Sequence, residues 1–186
     1  MLTITVPGAE FYNEDTNEFL YTSDTVLKME HSLVSISKWE SKWKKPFLSM
    51  GQPGNDEFTQ EMLMDYFQFM TITQNVPKKV YYGITHELFQ KVIDYMRTEQ
   101  TATWFSNKPG QGGRVDRRPM TSERIYHLMI HYNIPFECEK WHLSRLLTLI
   151  RICQIEEQKP EKQNPRDAAL ARHSAMAARR AKKPHR

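Results

Sequence analysis

A chain of 186 residues that is 39% hydrophobic and 11% aromatic can build one core, which excludes wholesale disorder. Its formal charge is +4, but from Glu156 to Arg186 nine Lys/Arg face four Asp/Glu, a net of +5, which leaves −1 for Met1–Ile155. A nearly neutral body lacks in bulk the basic face of a nucleic-acid-binding domain, and no stretch approaches the ~20 apolar residues of a membrane span. The opening MLTITVPGAEF has no basic segment leading into a long apolar run, so no signal peptide is expected. Cys138 and Cys153 sit in apolar, helix-like surroundings and suit free thiols in a reducing compartment.

In chain order, LTITV (residues 2–6) alternates as a strand does, and Pro7-Gly8 breaks it. Two aromatic pairs flank the polar run Asn13–Asn17 in EFYNEDTNEFLYTS, which predicts a hairpin. TVLKME (25–30) alternates again, and together these predict one antiparallel sheet of about three strands over 2–30. Helices are then expected to fill 32–155. Ser32 caps a helix to about Lys45, stopped by Pro46. GQPGND is a turn, Glu57–Met70 an amphipathic helix, and Pro77 opens a short helical turn. Thr85 caps HELFQKVIDYMRTE, TATWF is extended, and SNKPGQGGRVDRRP is a polar, basic loop. Thr121 or Ser122 starts ERIYHLMIHY. KWHLSRLLTLIRIC lies in a last long helix whose apolar residues cover most of its circumference, as in a central, buried helix. From Glu156 a Pro-containing linker leads into AALARHSAMAARRAKKPHR, alanine-rich and basic with few large apolar groups, so 156–186 is expected to be a mobile tail. The expected fold class is α+β: a predominantly helical domain over 1–155, with a small N-terminal antiparallel sheet and a basic C-terminal tail.

The segment EHSLVSISKWESKWKKPFL places two of the chain's four tryptophans among lysines, which raises a membrane, a nucleic acid or a core as its purpose. At about 100° per residue, Ile36, Trp39 and Trp43 share one face and Lys38, Lys42 and Lys45 lie on the other. Aromatic and basic side chains are therefore separated, as on a core helix with a solvated back. A membrane-surface helix shares this pattern but is usually longer, and base stacking needs rings within the basic groove. In Glu57–Met70, Phe58, Met62, Tyr66 and Met70 recur at four-residue steps, while Glu57, Glu61 and Asp65 line a polar face.

His127, His131, Cys138 and His142 give H-x3-H-x6-C-x3-H, ligand types that zinc accepts, but Pro135 interrupts the series and the order matches no common zinc module. No metal is expected, and no other cofactor. KPGQGGRVDRR lacks the terminal Lys-Ser/Thr of a phosphate-cradling loop; Arg114, Arg117 and Arg118 leave only a weak phosphate contact open. There is no G-x-S-x-G and no Cys–His pairing in sequence, and the carboxylates are scattered, so an enzyme is not expected.

EHSLVSISKWESKWKKPFL, MTITQNV, TATWF and TSERIYHLMIHYNIPFECEKWHLSRLLTLIR resemble segments of the tail assembly chaperone family of tailed bacteriophages with long, non-contractile tails. The resemblance covers most of 1–153 and fades in the tail. It implies a non-catalytic protein of the host cytoplasm. Such a protein binds the tape measure protein, keeps it soluble, helps to recruit tail tube protein and is absent from the finished particle. It also implies a longer, frameshifted form of the chain, for which AKKP (181–184) offers a place if a run of adenines encodes it. No family residue role transfers position by position. The candidate partner-binding residues are Trp39, Trp43, Phe58, Met62, Tyr66 and Met70, with Arg179 and Arg180 of the tail. The same apolar residues also read as ordinary core, and methionines suit an adaptable surface. A membrane partner is not expected and the oligomeric state is open. The alternatives are a structural head–tail connector or minor virion protein, and a nucleic-acid-binding accessory protein acting through its basic tail.

Overall fold

In the computed structural model, residues 1–13, 17–51, 56–105 and 118–157 are described. The middle of the expected GQPGND turn, most of the basic loop and nearly all of the tail fall outside them. The chain divides into two units, Met1–Ile150 and Arg151–Arg186; the fold below is that of the first. The described part of the second is the end of one helix, which carries two residues past the expected boundary at 155/156.

Four strands open the chain: β1 Leu2–Val6, β2 Glu10–Asn13, β3 Glu18–Tyr21 and β4 Thr25–Met29. They form two two-stranded antiparallel ladders, β1 with β4 and β2 with β3, instead of the single sheet expected. The register is continuous: Val6 faces Thr25 and, past the break, Glu10 faces Tyr21. The four strands are thus one long hairpin whose ladder opens at Pro7-Gly8. Proline removes a ladder donor there, and side chains take over: Gly8 N–H donates to Asp24 Oδ1 (2.7 Å) and Ala9 N–H to Thr22 Oγ1 (3.0 Å). A Cβ on Gly8 would lie 2.7 Å from the Thr22 carbonyl oxygen, so the pinch admits only glycine without a shift. A second partner for β4 comes from elsewhere. Thr71 bridges Met29, Ile72 N–H donates to the Lys28 carbonyl (2.7 Å), and Thr73 Oγ1 accepts from Lys28 N–H (2.9 Å).

Six α-helices lie among the described residues: α1 Leu33–Trp43, α2 Gln60–Met70, α3 Lys78–Tyr81, α4 His86–Arg97, α5 Ser122–His131 and α6 Leu143–Glu157. Two 3-10 turns, Phe47–Ser49 and Phe136–Lys140, precede α2 and α6. Ser32, Thr59 and Thr85 cap α1, α2 and α4, each accepting the N–H three residues on. Phe58 therefore stands before α2 and not inside it. Pro77 is the cap position of α3, one residue earlier than expected. α1 ends at Lys44, which adopts a left-handed φ of 55° and donates its N–H to the Glu40 carbonyl (2.8 Å).

The central helix is α1, not α6 as the sequence suggested. α1 packs on α2, α5 and both 3-10 turns, and Leu33, Ile36 and Trp39 have no exposed surface. On α6 only Leu143, Leu146 and Ile150 are buried. An apolar ring spread round a helix cannot all face one core, whereas the narrower stripe of α1 is covered along its length. The outer ladder, β1 with β4, closes the core with Ile4, Val6, Leu27 and Met29; the inner ladder is β2 with β3.

Candidate functional site

Trp39, Met62, Tyr66 and Met70 all lie inside, at 0%, 6%, 0% and 1% exposure, and Trp43 and Phe58 are half-buried. Trp39 meets Phe47 edge-on at 5.1 Å and Phe58 at 5.6 Å, and Phe47 stacks on Tyr66 at 4.2 Å. The Trp39 indole donates to the Met62 carbonyl (2.9 Å), which leaves its only polar atom satisfied without water. The four-residue steps of α2 are thus the seam between α1 and α2. Arg179 and Arg180 lie outside the described residues.

The lysine back of α1 is not wholly solvated. Lys42 folds over the Trp43 ring, its ammonium 5.3 Å from the ring centre, and pairs with Asp65. Trp43 Nε1–H donates to the same carboxylate (3.1 Å). Asp65 is therefore buried and does not continue the polar face of Glu57 and Glu61, which remain exposed. An aspartate among apolar side chains is held there because a cation and an indole N–H both answer it.

Glu40 went unnoticed in the sequence. It is 7% exposed; Oε1 accepts from Phe47 N–H (2.9 Å) and Oε2 from Ser122 N–H (2.7 Å). Thr121, at the cap position of α5, makes no capping hydrogen bond. A carboxylate from 82 positions earlier does so instead, where the helix N-terminus favours negative charge. Glu40 borders a cleft of 490 Å³ with Lys44, Lys45, Pro119 and Thr121, but both its oxygens are committed to backbone.

A histidine pair also emerges from the fold. His31 Nδ1 shares a 2.5 Å hydrogen bond with the Tyr66 hydroxyl, and its ring lies 5.3 Å from that of His142. His142 Nε2 faces the Tyr95 carbonyl (3.3 Å), which can only accept, while its Nδ1 receives Ser144 N–H (3.3 Å). These partners assign the neutral Nε2–H tautomer to His142. Tyr95 donates to Glu30 Oε1 (2.5 Å). Burial, with His142 beside it, lowers the pKa of His31 to about 3, and burial lowers that of His142. Every polar atom named here has a partner within the fold. Leu143 N–H donates to the His31 carbonyl (2.8 Å) and Ser32 bridges His142, so the cluster ties the start of α1 to the start of α6.

His142 belongs to this cluster, His127 and His131 are exposed, and Cys138 is buried. Among the described residues no three His, Cys, Asp or Glu side chains are grouped to hold a metal ion. Neither cysteine is in a disulfide, and burial together with Glu137 raises the Cys138 thiol pKa. Arg114 and Arg117 lie outside the described residues. The Arg118 carbonyl accepts from Arg124 (2.9 Å). No described helix is long and apolar enough to cross a membrane.

The surface tells a different story from the interior. Tyr12, Phe19 and Tyr21 of the inner ladder are 51%, 58% and 62% exposed, Ile72 and Tyr82 56% and 64%, and Trp104 of TATWF 94%. None of the protein-family models, curated proteins or solved structures compared with the chain matches it.

Proposed function

We propose that the chain is a non-catalytic, protein-binding assembly chaperone of a tailed phage. In this reading it covers apolar helical stripes of the tape measure protein in the host cytoplasm while tail tube subunits are recruited. A longer, frameshifted form of the chain would share the folded domain. The observation that carries the reading is the division of the apolar side chains. The core is closed by its own aromatics, yet a second set of large rings stands outside it. Scattered apolar side chains on a surface are ordinary, but several aromatic rings gathered on one small element mark a surface for another polypeptide. The polar clusters also support a binding role over a catalytic one, since the side chains of Glu40, Asp65, His31 and His142 are all engaged in holding the fold.

The test is co-expression of the tape measure protein with and without this chain. The proposal expects a several-fold larger soluble fraction when both are present and a complex that survives gel filtration. Equal solubility would overturn it. So would stoichiometric amounts of the chain in purified particles by mass spectrometry, which would favour a connector or minor virion protein.

A further inference from the structure

The inner ladder continues the register of the outer ladder but not its burial. In the outer ladder the inward pairs are Leu2–Met29, Ile4–Leu27 and Val6–Thr25, and the same register continued outward gives Glu10–Tyr21 and Tyr12–Phe19. Side chains alternate along a strand, so one parity serves both. In the outer ladder it is covered by the domain. In the inner ladder Tyr12, Phe19 and Tyr21 are more than half exposed, with Tyr12 and Phe19 5.1 Å apart. The opposite face is the one turned to the body, where Phe11 meets Tyr82 at 6.3 Å. An aromatic face pointing away from the domain adds nothing to its core.

The charge around this face is of one sign. Among the described residues of 1–27 the charged side chains are Glu10, Glu18 and Asp24, with no Lys, Arg or His. In a chain of net charge +4 this concentrates negative charge on the element that carries the exposed rings. Such a surface repels nucleic acid, anionic lipid and a second copy of itself, and attracts a cationic partner. Two cross-strand pairs occupy roughly 7 Å along the strands and about 5 Å across, to which the rings add their own width. That footprint suits a single helix about 10 Å in diameter.

We propose that the outward face of the β2–β3 hairpin is a docking surface for a basic amphipathic helix, with Tyr12, Phe19 and Tyr21 taking its apolar stripe and Glu10, on the same face, meeting its Lys or Arg residues. This rests on the protein-binding reading above and specifies its face and the chemistry of its partner.

The probe is a 20-residue amphipathic helix of Leu, Ala and Lys, compared with the same peptide carrying Glu for Lys, titrated against the full chain by fluorescence anisotropy. The expected result is at least tenfold tighter binding of the Lys peptide. A Phe19→Ser/Tyr21→Ser variant loses at least tenfold of that affinity with an unchanged circular dichroism spectrum, and a Glu10→Lys variant, changed on the same face, removes the preference. Equal affinity for both peptides, undiminished binding by the serine variant, or concentration-dependent self-association that the serine changes abolish would each overturn the proposal. If the serine variant still solubilises the tape measure protein, the chaperone reading survives and the hairpin assignment fails. If the hairpin binds as described but the chain does not solubilise that protein, the reverse holds.

Discussion

Trp39 and Phe19 are both large aromatic residues on the apolar side of an amphipathic element, yet Trp39 has no exposed surface and Phe19 is 58% exposed. The difference lies in what surrounds them. Trp39 is met by Phe47 and Phe58 and donates to a backbone carbonyl of α2. Phe19 has one close aromatic neighbour, Tyr12, itself half in solvent. The sequence marks both segments as apolar; only the fold decides which is closed. Aromatic content is therefore a poor guide to binding here. The segment densest in tryptophan is the most internal, and its residues Glu30, His31, Ser32, Trp39, Glu40 and Phe47 each hold another element in place.

The comparison breaks first at Trp39. Trp39→Ala should cost about 3–5 kcal/mol by urea unfolding, roughly a fifth or more of a typical domain's stability. A loss below about 1 kcal/mol would mean that the indole is not core. Next comes Glu40. Glu40→Ala leaves the amides of Phe47 and Ser122 without their acceptor, at roughly 1–3 kcal/mol each for a buried polar group. Glu40→Gln keeps one acceptor oxygen and should recover part of the loss.

Acid provides the third test. His31 has a folded pKa of about 3 against about 6.5 unfolded, so below pH 6.5 the unfolded chain binds a proton that the folded chain refuses. Its contribution is complete above pH 6.5 and is lost as pH falls towards 3. That amounts to about 2 kcal/mol between pH 7.5 and pH 5, with His142 acting in the same direction. Urea midpoints at the two pH values check this. His31→Gln should flatten the profile; an equally steep profile in that variant would assign the acid sensitivity to other groups. The smallest effect belongs to the hairpin. Phe19→Ser should change stability by no more than about 0.5–1 kcal/mol, because little apolar area is lost from a half-exposed ring. A loss as large as that of Trp39 would place Phe19 in the core and erase the contrast.

Much of the fold was legible in the sequence. Ser32, Thr85 and the alternation of LTITV and TVLKM are local signals with local consequences. Two things were not. Strand pairing is non-local: nothing in MTITQNV announces that Thr71–Thr73 completes the edge of β4. Long-range acceptors are invisible as well. Asp65 reads as an ordinary polar-face residue and Glu40 carries no local signal, yet Glu40 serves an amide 82 positions away and Asp65 an indole on another helix. The candidate residues of α2 were chosen by a correct periodicity and proved to be core because the facing stripe of α1 covers them. The hairpin aromatics, seen in the sequence as two pairs flanking a turn, offered no sign of which face would be left open.

The central claim is that the core aromatics are committed and the hairpin aromatics are free to bind. Hydrogen–deuterium exchange of the full chain with and without the Lys-bearing amphipathic peptide tests it without any substitution. The account predicts added protection confined to residues 10–21, with α1 and α2 unchanged. Protection appearing over Leu33–Trp43 or Gln60–Met70, with none in the hairpin, would contradict it.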